Sequence, residues 1–124
     1  MSKKNILVVE DEPMSRLIAE KLFSEKFNVK TARNSVEALE HCAHQPFDAV
    51  LMDIELGPDS LNGTDLMHHI RELSNQNDVK IIAVTAYSEP KDDSTFMKAG
   101  FDDYFVKPYS RERILQAFSQ LLEI

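Results

Sequence analysis

The stretch NILVVEDEP at residues 5–13 decides the fold. Its four consecutive apolar residues, 6–9, are typical of a strand that is buried on both faces of a parallel sheet. Three acidic residues follow, and Pro13 suits the first turn of a helix. The stretch therefore predicts a buried strand, an acidic turn at its carboxyl end and the start of a helix.

The same alternation continues to the end of the chain. Further strands are predicted over residues 27–31 near a sheet edge, 47–53, 80–86 and 104–106. Apolar residues at helical spacing predict a helix after each strand, the fourth over about residues 90–99. The expected core faces of the other helices are Leu17, Ile18, Leu22 and Phe23; Val36, Leu39 and Ala43; Leu66, Met67, Ile70 and Leu73; and Ile114, Leu115, Phe118, Leu121 and Leu122.

Strict alternation of strands and helices predicts an α/β fold with right-handed crossovers and a parallel sheet covered on both faces. An eight-unit barrel needs about 250 residues, and this chain has 124. We therefore expect an open, doubly wound, five-stranded sheet. In such sheets the functional site lies at the carboxyl ends of the strands.

Composition excludes several classes of protein. The net charge of −7 argues against binding to nucleic acid or to an anionic membrane. The single cysteine, Cys42, excludes a disulfide framework, and no apolar run approaches the roughly 18 residues of a membrane span. We expect one cytoplasmic domain over residues 1–124.

Polar residues follow the predicted strands where their carboxyl ends meet. Glu10 and Asp11 follow the first strand, Asp53 and Glu55 the third, Thr85 ends the fourth and Lys107 follows the fifth. One lysine cannot neutralise this many carboxylates, so a divalent cation is expected. An all-oxygen site suits Mg²⁺, with Mn²⁺ or Ca²⁺ as alternatives.

A site with Mg²⁺, an ammonium and a hydroxyl around one carboxylate is suited to phosphoryl transfer. Asp53 ends the central buried strand and is the expected nucleophile, which would form an aspartyl phosphate. Ionisation of Asp53 at neutral pH would depend on the cation and on Lys107.

Four motifs resemble the receiver domain of two-component response regulators. They are residues 6–13 (ILVVEDEP), 51–54 (LMDI), 84–86 (VTA) and 103–108 (DYFVKP), and their order and spacing also match over nearly the whole chain. The resemblance implies a flavodoxin-like (βα)5 fold with strand order 2-1-3-4-5. It also implies a phosphoacceptor that promotes its own phosphorylation and dephosphorylation, rather than a turnover enzyme.

The resemblance assigns a role to each site residue. Asp53 corresponds to the phosphoacceptor, and Lys107 would pair with the phosphoryl group, with a cis bond to Pro108. The metal ligands would be Glu10, Asp11, Asp53 and the backbone carbonyl of Glu55. Thr85 would hydrogen-bond the phosphoryl group, and Tyr104 would then swing inward behind it.

Three features depart from the family pattern. Glu10 stands where Asp is common, and the segment from Asp53 to Gly63 is about two residues longer than usual. Glu55 places a carboxylate two residues after the acceptor, where the family tunes the lifetime of the phosphoryl group. Such a carboxylate could either orient water or repel it.

The implied partners are a histidine kinase or histidine phosphotransfer protein, and an output protein or a second copy that binds the fourth helix, last strand and last helix. One alternative is an aspartate-nucleophile phosphatase of the haloacid-dehalogenase type, although Glu55 stands where such enzymes carry a second Asp. The other is a binding module without phosphorylation, either flavodoxin-like or a degenerate receiver. The chain could be a stand-alone receiver or part of a longer protein.

Overall fold

The computed structural model describes residues 3–86 and 94–124. These residues form a parallel five-stranded sheet in the order β2-β1-β3-β4-β5. The strands are β1 (Lys4–Val9), β2 (Phe27–Ala32), β3 (Ala49–Asp53), β4 (Lys80–Thr85) and β5 (Asp103–Val106). The predicted fold class, the strand order and the edge position of the second strand are confirmed.

A helix follows each strand. The helices are α1 (Pro13–Phe23), α2 (Ser35–His44), α3 (Gly63–Arg71), α4 (Ser94–Ala99) and α5 (Arg111–Leu122), and a short 3-10 helix (Ser74–Gln76) follows α3. Residues 90–93 of the predicted fourth helix lie outside the described residues. Asn34 and Ser110 cap α2 and α5, because their side chains accept from the amides of Glu37 and Arg113.

Two hydrophobic cores lie on opposite faces of the sheet. Successive strand residues point to opposite faces, so Ile6 and Val8 join one core while Leu7 and Val9 join the other. The Ile6 core is closed by α1 and α5, and the Leu7 core is closed by α2 and α3.

No helix in residues 3–86 or 94–124 has the length and apolar character needed to cross a membrane.

The predicted core faces of α1 and α2 were partly wrong. In α1, Ala19 and Phe23 are buried, whereas Leu17 and Ile18 are 47% and 49% exposed. In α2, the buried residues are Ser35, Ala38 and Cys42, whereas Val36 and Ala43 are exposed. Small residues let these helices lie close to the sheet, and a pattern that gives most weight to large apolar side chains selects the wrong face.

The predicted faces of the other helices fit better. Leu66, Met67 and Ile70 of α3 are buried, as are Ile114 and Phe118 of α5. Leu73 lies beyond the end of α3, and Leu115, Leu121 and Leu122 are half-buried around the Ile6 core. The lone thiol of Cys42 packs in the core, where burial raises its pKa to about 11.

Candidate functional site

The carboxyl ends of four strands bring the predicted site residues to one edge of the sheet. Asp53 is the last residue of β3, and it pairs in register with Val84, next to Thr85. Lys107 follows β5, and its amide donates to the carbonyl of Thr85 at 2.8 Å. Glu10 follows β1, and its amide donates to the carbonyl of Ala32 at 2.9 Å. The backbone hydrogen bonds of the parallel sheet therefore hold the backbone of each of these residues at the same edge.

Three carboxylates lie together at this edge. Glu10, Asp11 and Asp53 each offer one oxygen, and these oxygens all lie within 4.8 Å of one another. Glu10 and Asp53 are buried, whereas Asp11 is exposed. Such a set of hard oxygen donors fits Mg²⁺ or Mn²⁺, since both ions prefer carboxylate ligands and retain bound water.

The ammonium of Lys107 joins two of these carboxylates. Its Nζ lies 2.6 Å from Oε1 of Glu10 and 3.3 Å from Oδ2 of Asp53. The other oxygen of Glu10, Oε2, accepts from the amide of Glu12 at 3.1 Å. The amide of Glu55 donates to Oδ1 of Asp53 at 3.3 Å, so both Asp53 oxygens have a donor.

Burial and neighbouring charges shift the pKa values of the three carboxyl groups in different directions. Burial, with the negative charge of Glu10 added, raises the pKa of Asp53 to about 7. Burial acts on Glu10 too, but hydrogen bonds from Lys107 and from the Glu12 amide hold the pKa of Glu10 below its usual value. Partial burial and the neighbouring Glu10 raise the pKa of Asp11. A cation at the site would favour the ionised form of Asp53.

The side chain of Glu55 points to the end of β4. Its Oε2 accepts from the hydroxyl of Thr85 at 3.0 Å, and its Oε1 accepts from the amide of Ala86 at 3.1 Å. The backbone carbonyl of Glu55 was predicted to be a metal ligand, and its side chain was noted only for its position two residues after the acceptor. The contact with Thr85 was not predicted, because it joins residues 30 positions apart.

Two further predicted residues lie on or after β5. Tyr104 is half-buried, and its ring packs against Phe96 of α4 with centroids 5.5 Å apart. The peptide bond between Lys107 and Pro108 is cis.

The backbone around the site depends on residues that the sequence did not mark as functional. The guanidinium of Arg16 donates to the carbonyls of Glu10 and Asp11 at 2.9 and 3.0 Å, which fixes the acidic turn. The site also depends on Gly63, because a Cβ there would lie 2.5 Å from the carbonyl oxygen of Asp53. The sequence did contain a signal for the Arg16 contact, since this arginine follows the acidic turn by one helical turn. The contact at Gly63 depends on how α3 packs, and no local pattern indicates it.

The segment between Asp53 and Gly63 is anchored to α2. Leu56 is buried, and the positive φ of Gly57, +89°, turns the chain beside Asp11. The amide of Ser35 donates to Oγ of Ser60 at 3.0 Å, and the amide of Leu61 donates to Oγ of Ser35 at 3.1 Å. This reciprocal pair ties the segment to the start of α2.

An apolar surface adjoins the site on the α1 side. Met14, Leu17 and Ile18 are about half exposed or more. A groove beside them is lined by Ile18, Leu22, Lys107, Pro108 and Tyr109, among others, and reaches Glu10. We call Met14, Leu17 and Ile18 the α1 surface.

Comparison with known proteins identifies the family. Residues 6–119 match the family described as the response regulator receiver domain. The chain belongs to this family, and not to the phosphatase or flavodoxin-like alternatives. It is 32% identical over 118 residues to the response regulator ArlR of Staphylococcus aureus, a match that covers 94% of this chain and 52% of ArlR. The chain therefore spans about half the length of the curated relatives it matches.

Solved structures agree with this assignment. The receiver domain of the sensor histidine kinase PA1611 from Pseudomonas aeruginosa has 28% sequence identity and a TM-score of 0.85, with 99% of this chain and 100% of that chain covered. That structure has a magnesium ion coordinated in its active-site cleft. A response regulator receiver domain from Methanospirillum hungatei also has 28% identity and a TM-score of 0.85, with 98% and 95% covered.

Proposed function

We propose that residues 1–124 form one receiver domain in which Asp53 accepts a phosphoryl group from a histidine kinase or a histidine phosphotransfer protein. The observation that carries the proposal is the ammonium of Lys107, 2.6 Å from Glu10 and 3.3 Å from Asp53 within a cluster of carboxylates. A half-buried ammonium beside the acceptor is suited to stabilising the oxygens of an incoming phosphoryl group.

The proposed reaction is a displacement at phosphorus. An ionised Oδ of Asp53 attacks, the new O–P bond forms, and the P–N bond to the donor histidine breaks, so that the imidazole nitrogen leaves with the bonding electrons. Lys107 donates to a phosphoryl oxygen throughout. The domain promotes its own phosphorylation and dephosphorylation and does not turn over a separate substrate.

The metal in this proposal is Mg²⁺, with Mn²⁺ as the alternative. Glu10, Asp11, Asp53 and the backbone carbonyl of Glu55 would hold it, and when bound it would offset the negative charge of the carboxylates and of the phosphoryl group. The clustering of Glu10, Asp11 and Asp53 supports this choice of ligands.

Switching follows from the charge that phosphorylation adds. A phosphoryl group brings about two negative charges and several strong acceptors, so Thr85 donates to it and moves toward Asp53. Tyr104 then leaves its contact with Phe96 and fills the space behind Thr85. The modification shifts the balance between two packings of α4, β5 and α5.

The proposal includes two docking regions. The α1 surface lies beside the acceptor and offers apolar contacts to the phosphodonor protein. The face formed by α4, β5 and α5 binds an output protein or a second copy of the chain. The excess of acidic residues argues against direct contact with nucleic acid or membrane, and the expected place of action is the cytoplasm.

Phosphotransfer to Asp53→Asn tests the proposal. Wild-type protein with Mg²⁺ and a phosphohistidine donor should be labelled at an acid-stable, hydroxylamine-sensitive acyl phosphate, and Asp53→Asn should not be labelled, because it lacks the nucleophilic oxygen. The control is Asp59→Asn, which removes an exposed carboxylate from the same loop and should be labelled like the wild type. Equal label on Asp53→Asn, or a wild type that no donor labels, would overturn the proposal.

A further inference from the structure

The contacts of Glu55 point to a role for this carboxylate in competition with the phosphoryl group. Its two oxygens accept from the hydroxyl of Thr85 at 3.0 Å and from the amide of Ala86 at 3.1 Å. A hydroxyl and a backbone amide from successive residues form a donor pair suited to an anion with two or more oxygens. In this structure the anion that accepts from both donors is the carboxylate of Glu55.

The two anions cannot share these donors. A threonine hydroxyl carries one proton and donates to one acceptor at a time. The proposed function requires this proton to be donated to a phosphoryl oxygen on Asp53. The hydrogen bond from Thr85 to Glu55 must therefore break before the hydrogen bond to the phosphoryl group can form.

The local backbone allows the side chain of Glu55 to leave without a change of fold. The amide of Glu55 is held by Asp53 Oδ1 at 3.3 Å, and Leu56 is anchored in the core. The side chain of Glu55 itself is only half-buried, and Gly57 to Asp59 beyond it are exposed. Rotation about the side-chain torsions is enough to move the carboxylate into solvent.

We propose that the Glu55 carboxylate is an intramolecular mimic of the phosphoryl group, which occupies the Thr85 hydroxyl and the Ala86 amide in the resting state and must be displaced when Asp53 is modified. The inference rests on the proposed function of Asp53. Glu55 is a positioning residue in this scheme, because it acts through Thr85. Its carboxylate raises the threshold for switching, since each modified molecule must first release this contact.

Binding of beryllofluoride, an analogue of the phosphoryl group, tests the inference in the full chain. Wild type, Glu55→Ala and Glu55→Gln are titrated with beryllofluoride at saturating Mg²⁺ and followed by amide NMR spectra. Loss of a competing, charge-assisted contact should tighten apparent binding to Glu55→Ala about tenfold. Glu55→Gln keeps one acceptor atom and should fall between Glu55→Ala and the wild type. Asp59→Asn removes a charge from the same loop without touching Thr85 and should bind within about twofold of the wild type.

The outcomes separate this inference from the proposed function. If the wild type binds beryllofluoride and both Glu55 variants bind no more tightly than Asp59→Asn, the mimic is excluded while the function of Asp53 stands. If no protein binds beryllofluoride, both fail. If Glu55→Ala does not fold, Glu55→Gln decides by the same comparison.

One further measurement tests the contact directly. The Ala86 amide proton should shift upfield in Glu55→Ala before any ligand is added, because it loses a charged acceptor, and it should stay in place in Asp59→Asn. An unmoved Ala86 amide would overturn the inference.

Discussion

Gly63 shows how a single residue without a side chain supports the acceptor. Its amide donates to the carbonyl of Ile54 at 2.9 Å, and its Cα lies directly against the backbone of Asp53 and Ile54. A Cβ at this position would lie 2.5 Å from the Asp53 carbonyl oxygen and 2.8 Å from the Ile54 Cα. Both contacts are with backbone, so neither can be relieved by a side-chain rotation.

We expect Gly63→Ala to lower the free energy of unfolding by about 2–4 kcal/mol, because α3 must move away from β3 to accept the methyl group. The same movement shifts the backbone of Asp53 and should slow its phosphorylation. Urea unfolding and acetyl phosphate labelling measure the two effects. Thr64→Ala, one position later in α3, should cost less than about 1 kcal/mol. Equal losses for both variants would contradict the close packing at Gly63.

At the scale of elements, the 3-10 helix after α3 is joined to the end of α2 and to the segment before β3 by the buried side-chain amide of Gln76. The side chain of Gln76 is buried, with Oε1 accepting from the amide of Phe47 at 3.0 Å. Its Nε2 donates to the carbonyls of Cys42 and Gln45 at 2.8 and 2.7 Å. Gln76 therefore completes the hydrogen bonds of the end of α2 and of the segment that leads into β3.

Replacement of Gln76 by Leu keeps a similar volume and removes the side-chain partner of the Phe47 amide and of the Gln45 carbonyl. The Cys42 carbonyl still accepts from Nδ2 of Asn75 at 2.8 Å. We expect a loss of about 2–4 kcal/mol in the free energy of unfolding, since each orphaned buried group costs roughly 1–3 kcal/mol. The matched control is Asn77→Ala, an exposed amide one residue later that should change stability by less than about 0.5 kcal/mol. Chemical denaturation of the two variants checks the difference, and a neutral Gln76→Leu would refute it.

At the scale of the whole molecule, the site lowers stability near neutral pH. The pKa of Asp53 is raised to about 7 by burial and by the charge of Glu10, whereas an Asp in the unfolded chain titrates near about 3.9. Between these two values the native state binds more protons than the unfolded state. The contribution of Asp53 to stability is therefore complete below about pH 4, falls as the pH rises, and reaches its lowest value above about pH 7.

Asp53→Asn removes this penalty. Without Mg²⁺ at pH 8, we expect it to be more stable than the wild type by roughly 1–3 kcal/mol, and the difference should shrink toward pH 4. Mg²⁺ should stabilise the wild type and have less effect on the variant. Urea unfolding at several pH values measures these differences, with Asp59→Asn as the control of equal charge. A variant less stable than the wild type at pH 8 would contradict the account.

Much of the fold was predictable because it depends on local periods and on topology. Buried apolar runs such as residues 6–9 and 49–52 specify central strands, and helical crossovers between them require a parallel sheet. The faces of α1 and α2 were less predictable. Ala19 and Ala38 face the sheet because their small side chains let α1 and α2 lie close to it. How closely a helix approaches depends on the neighbouring elements, and alanine contributes little to a hydrophobic pattern.

The sequence alone therefore determined the parallel sheet and the edge where Glu10, Asp53, Thr85 and Lys107 collect, because parallel strands with helical crossovers leave their carboxyl ends on one side. The strand order was implied by the resemblance to receiver domains and does not follow from this rule. The tertiary structure decided which atoms meet there. The carboxylate of Glu55 lies on Thr85 and Ala86, and the ammonium of Lys107 lies between Glu10 and Asp53. These contacts join segments 30 to 97 residues apart, and their geometry depends on how the packed helices and loops position each side chain.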